Sequence, residues 1–120
     1  MTAYDDQNVF AKILRGDIPC TKIDEDEYTL SFADVNPQAP VHVLVIPKGA
    51  YVDWSHFAAT ASPEEILAFT RAIHRAAEKT GIVDSGFRVI SNIGQHGHQE
   101  VPHLHMHVLG GGPLGRLVAG

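Results

Sequence analysis

The stretch HLHMHVLGG, residues 103–111, sets His103, His105 and His107 at every second position and follows them with two glycines. Imidazoles accept, donate and attack near neutral pH. The row therefore suits a metal site, a nucleophile with helpers, or a polar strand face. On a strand, alternate side chains share a face and lie roughly 6.7 Å apart. The three histidines then line one face, while Leu104, Met106 and Val108 turn to the core. The outer pair would be roughly 13 Å apart, whereas zinc holds each imidazole nitrogen at about 2 Å. One strand cannot easily bring all three to one ion, and further ligands would have to come from His96 or His98. No metal is expected. A decorated face accounts for one strand histidine better than for three, beside a second histidine-bearing strand (His42). What remains is one nucleophile flanked by orienting partners. Phosphate is its natural target, since it takes hydrogen bonds on several oxygens at once.

Several elements must position this row. NVFAKILRG (8–16) reads as a short helix capped by Asn8, with Phe10, Ile13 and Leu14 on one face and Gly16 at its end. Ile18-Pro19 breaks to an extended segment. YTLSFADV (28–35) has strand propensity and runs into the turn Asn36–Pro40. VHVLVIP (41–47) is nearly all apolar and predicts a central strand covered on both faces, with His42, Leu44 and Ile46 pointing one way and Val41, Val43 and Val45 the other. SPEEILAFTRAIHRAAEKTG (62–81) predicts the long helix. Ser62 and Glu65 make a capping box, Pro63 takes the first turn, and Gly81 closes it. Its buried stripe is Ile66, Phe69, Ile73 and Ala76/Ala77. FRVISN (87–92) is a further strand, IGQHGHQE (93–100) a polar loop, and 103–109 the strand of the triad. Strands in short succession with one long helix inserted predict an antiparallel α+β sheet.

A chain of 120 residues, 44% hydrophobic, is expected to form one domain over 1–120, with a core thin enough to favour a dimer. The net charge of −5 argues against a nucleic-acid partner but not against a small nucleotide. Lone Cys20 fits a reducing compartment. The acidic start MTAYDDQNVF does not read as a signal peptide, and no stretch approaches the roughly 20 apolar residues of a membrane span. A cytoplasmic protein without a membrane partner is expected.

H-L-H-M-H-V-L resembles the histidine triad motif of the HIT superfamily of nucleotide hydrolases and transferases. VFAKILRGDIPCTKIDEDE, SFADVNPQAPVHVLVIPK and HQEVPHLHMHVLGG extend the resemblance to the Hint branch over nearly the whole chain. LGG after the triad favours Hint over the Fhit-like branch, and His107 is the histidine that the uridylyltransferase branch lacks. The resemblance implies a five-stranded antiparallel sheet with two helices, and a homodimer with a continuous ten-stranded sheet. The implied activity is hydrolysis of purine nucleoside phosphoramidates, of the adenosine 5′-phosphoramidate or lysyl-AMP type, through a nucleotidyl-histidine and without a cofactor. His105 would be the nucleophile and His107 would bind phosphate oxygens. His103 would hold and polarise His105, with His42 behind it. Asp34 would accept the ribose hydroxyls, and Val35, Phe10, Ile13, Ile18, Phe32 and Leu44 would form the purine slot. Asn92, Gln99 and the backbone around His98–Glu100 would steady the phosphate and leaving group. A dinucleoside polyphosphate hydrolase and a non-catalytic nucleotide-binding regulator are the rival readings.

Plainer roles stand beside these. Asp34 precedes an Asn-Pro turn and could be its cap, while the apolar six could be ordinary core. His98 replaces a glycine usual in Hint relatives, Glu100 a serine found in some, Pro102 an aromatic, and Gly112 an arginine. These departures bear on leaving group and substrate preference more than on the chemistry.

Overall fold

The computed structural model describes residues 3–118. Helix α1 (Val9–Leu14) is followed by β1 (Lys22–Glu25), β2 (Thr29–Ala33), β3 (Val41–Pro47), α2 (Trp54–Thr60), α3 (Pro63–Lys79), β4 (Arg88–Ile90) and β5 (Met106–Gly110). All strand pairs are antiparallel, in the order β1-β2-β3-β5-β4. β3 is thus the middle strand, as its apolar run predicts. The fold is α+β, with three helices where two were expected. The extra one, α2, is a single short segment capped by the Asp53 side chain and anchored by buried Phe57, too short for periodicity to reveal.

Each face of the sheet has its own cover. Val43, Val45 and Val108 meet Phe69, Ala72, Ala76 and Ala77 of α3, with Phe57 and Leu104 closing the layer. The Ser62–Glu65 capping box is formed in both directions, and Gly81 ends the helix at φ +73°. The buried stripe is shifted from the predicted one. Ala72 is buried and Ile66 is 39% exposed, because small residues let α3 lie close to the sheet. Buried Asp24 of β1 pins that helix through Arg75 Nε (3.0 Å) and Lys79 Nζ (2.7 Å).

On the opposite face Phe32, Leu44 and Ile46 pack with Phe10 and Leu30 under α1. Asn8 caps α1 as predicted, its side chain accepting from the Ala11 amide. That helix is only six residues long and cannot cover the whole face. The end of the sheet bearing His42 and His107 is left open.

The triad strand begins later than predicted. β5 starts at Met106, so His103 and His105 lie before the ladder. Pro102 has no amide hydrogen, the His103 amide donates back to Val101 O (2.9 Å), and the Leu104 amide donates to Tyr51 O (2.8 Å) rather than to a neighbouring strand. Strict alternation therefore fails here: His103 and Leu104 are both fully buried.

Candidate active site

β3 and β5 bring the first pair of histidines together. Leu44 stands opposite His107, and His42 opposite Leu109, so the two rings are diagonal neighbours on the open face. His42 Nε2 lies 2.8 Å from His107 Nδ1. The Gln38 amide donates to His42 Nδ1 (3.0 Å). His42 must then carry its single proton on Nε2 and donate it to His107 Nδ1. His107 in turn carries its own proton on Nε2.

His105 is fixed differently. Its Nδ1 lies 2.8 Å from the His103 carbonyl oxygen. A carbonyl only accepts, so the proton is on Nδ1 and Nε2 keeps a lone pair. Burial holds all these rings neutral. It lowers His42 and His105 below the ordinary histidine value, against opposing attraction from Asp34. It pushes His107 to about 4, helped by the neighbouring His105 and His42. Among the described residues neither His105 Nε2 nor His107 Nε2 has a hydrogen-bond partner. One is a bare acceptor and the other a bare donor, on rings 5.1 Å apart.

Both rings line a cavity of about 620 Å³ between α1 and the open face. That is ample for a small ligand. All six apolar residues singled out in the sequence line it: Phe10, Ile13, Ile18, Phe32, Leu44 and Val35. Phe10 stands edge-on to His105 with ring centroids 4.9 Å apart, while Val35 is 89% exposed at the rim. Asp34 also lines it. Its Oδ1 accepts from the Asn36 amide (2.8 Å), so the carboxylate is a turn cap, while Oδ2 approaches His42 Nε2 at 3.3 Å. At the other wall stand Asn92, His98 and Glu100. Asn92 donates to Gly97 O (2.7 Å), and His98, at φ +59°, places Nε2 3.2 Å from Glu100 Oε1.

The HIT domain family matches residues 15–114. The chain belongs to the HIT domain family. This HIT domain is 53% identical over 115 residues to an uncharacterised 13.2 kDa HIT-like protein of Azospirillum brasilense, spanning 96% of this chain and 94% of that one. It is 36% identical over 114 residues to a purine nucleoside phosphoramidase of Escherichia coli (strain K12), spanning 95% of each. Among solved structures, a histidine triad protein from Clostridium difficile matches with a TM-score of 0.84 at 38% identity, covering 97% of this chain and 100% of that one.

Within the HIT domain two expected placements are corrected. The His103 ring does not reach His105; only its main-chain carbonyl does, because the chain turns before the strand begins. His42 stands behind His107, not behind His103, as the β3–β5 register dictates. Gln99 is off the cavity wall. Its Nε2 donates to Val52 O and Val101 O, and its Oε1 accepts from the Gly94 amide, so it fastens the loop. Gln38 was missed because it acts through a main-chain amide, which leaves no mark in sequence.

Asp34, His42 and His107 offer ligand atoms within 4.8 Å of one another, a set that could hold a cation. It differs from the triad set weighed from sequence. The 2.8 Å between His42 and His107 is, however, a hydrogen bond, shorter than the roughly 3.4 Å between two nitrogens on one tetrahedral zinc.

Proposed function

We propose that this HIT family hydrolase cleaves purine nucleoside phosphoramidates to the nucleoside monophosphate and an amine through a nucleotidyl-histidine. The observation that carries the reading is the pair of opposite tautomers, His105 with a free lone pair and His107 with a free N–H on one cavity wall. His105 Nε2 attacks phosphorus, and the amine, protonated beforehand, leaves with the electron pair of the broken P–N bond. The positive charge now on His105 is spread to Nδ1–H, which already donates to the His103 carbonyl. His107 Nε2–H meets the charge developing on a phosphoryl oxygen. Water then attacks phosphorus, the P–Nε2 bond breaks with its electron pair returning to His105, and the proton lost by the water goes to solvent. Asp34 Oδ2 takes the ribose hydroxyls, and the Phe10–Phe32–Leu44 wall takes the purine.

Charge supports this reading over the dinucleoside polyphosphate alternative. Among the described residues lining the cavity there is no Lys or Arg, while Asp34 and Glu100 both do. A singly charged phosphoramidate tolerates that wall better than a polyphosphate chain. The non-catalytic alternative leaves the His105 tautomer without use. The same reading includes a homodimer: β4 is an edge strand whose Val89 is 41% exposed, open to pairing with a second copy.

The test is a rapid quench with adenosine 5′-phosphoramidate followed by mass spectrometry. An AMP adduct on the His105 peptide, absent in His105→Asn, is the expected result. Turnover by His105→Asn above about a hundredth of wild type would overturn the assignment.

A further inference from the structure

The His103 ring is fully buried, does not line the cavity and makes no hydrogen bond to the His105 ring, yet three groups hold it. Nε2 lies 2.9 Å from Pro47 O, Nδ1 lies 2.7 Å from the Tyr4 hydroxyl, and Phe10 stands edge-on at 6.2 Å between centroids. Desolvation pushes the ring to about 4, so it carries one proton. Pro47 O can only accept, which puts that proton on Nε2. Nδ1 is then a buried acceptor, and among the described residues the Tyr4 hydroxyl is its donor.

The anchoring has a consequence for the nucleophile. Residues 103–105 precede β5, so no strand pairing orients the His103 carbonyl. Its direction is set by the Leu104 amide of the same planar peptide, which donates to Tyr51 O (2.8 Å), by what holds the residue's ring, and by the turn at Pro102. That carbonyl is the group that keeps the proton of His105 on Nδ1. From these contacts we propose that Tyr4 is a positioning residue for the nucleophile: it locks the His103 ring, and through it the carbonyl that selects the attacking tautomer of His105. Tyr4 lies 99 residues from His103 in sequence, before α1, and reaches the back of the site through one half-buried hydroxyl. The proposal rests on the assignment of His105 as nucleophile.

Tyr4→Phe keeps the ring and removes the donor. With adenosine 5′-phosphoramidate, kcat should fall about five- to tenfold, the size of one buried hydrogen bond, with KM within about twofold. In ¹⁵N-histidine spectra of the substrate-free protein, His105 should change from a single Nδ1–H tautomer to a mixture. An unaltered kcat with an unaltered His105 tautomer, whatever the loss of melting temperature, would overturn the proposal. The spectra need no turnover. If wild type cleaves no phosphoramidate, the proposed function fails, while the tautomer shift still decides the role of Tyr4.

Discussion

Acidification from pH 7 to pH 5 should destabilise the protein through its buried histidines. His103 is pushed to about 4 by desolvation, against an ordinary histidine value of 6.5 in the unfolded chain. Between these values the unfolded state binds a proton that the folded state refuses, so stability falls as pH falls. For one such group the loss between pH 7 and pH 5 is about 2 kcal/mol. His107 is also pushed to about 4, but its partly exposed ring is discounted, while His42 and His105 are lowered and pull the same way. A total of about 2–4 kcal/mol follows, a large part of a typical domain's stability. Carboxylates do not confuse this window. Asp24 and Asp26 are themselves lowered, and their contribution is lost only below the ordinary carboxylate range. Urea unfolding followed by circular dichroism at fixed protein concentration, at pH 7, 6 and 5, reads the effect as a falling midpoint at constant slope. A midpoint that stays level or rises on acidification would refute the reasoning.

Three further outcomes are expected. Asp34→Ala should weaken AMP binding about ten- to a hundredfold, and removing the ribose hydroxyls should cost as much in wild type but little more in the variant; equal sugar penalties in both proteins would leave Asp34 only its cap to Asn36. Exhaustive chelation should leave turnover unchanged, and loss restored by stoichiometric zinc would show that Asp34, His42 and His107 hold a required ion. Gly97→Ala would set a Cβ 2.7 Å from the Ile93 amide nitrogen and against its carbonyl, backbone that cannot step aside. The loop carrying Asn92's partner and His98 should shift, lowering kcat/KM well beyond any change in melting temperature.

Much of the frame was legible because its signals are local. Asn8, and Ser62 with Glu65, mark helix starts through hydrogen bonds made within a few residues, and both caps form. The apolar run 41–47 can satisfy itself only in the middle of a sheet, and it lies there. α2 escaped notice because seven residues carry too little periodicity and its anchor is one Phe57 ring. β1 escaped because its inward residue is Asp24, a buried charge made tolerable only by Arg75 and Lys79 from a helix some fifty residues on.

From the residue pattern alone the site was legible to the level of a face, and the individual wall residues came with the family resemblance. Alternation in β2 and β3 is enough to gather Phe32, His42 and Leu44 on one side, and the cavity is there. The division of labour among the histidines follows from main-chain groups that no side-chain pattern encodes. A prolyl nitrogen without a hydrogen delays the strand, which buries His103 and turns its carbonyl to His105. The Gln38 amide, four residues before His42, selects the proton that His42 passes to His107. Two identical side chains two residues apart thus end as opposite groups, His105 an acceptor and His107 a donor. The motif supplies the imidazoles; the carbonyl and the amide decide which of them presents a lone pair and which a proton.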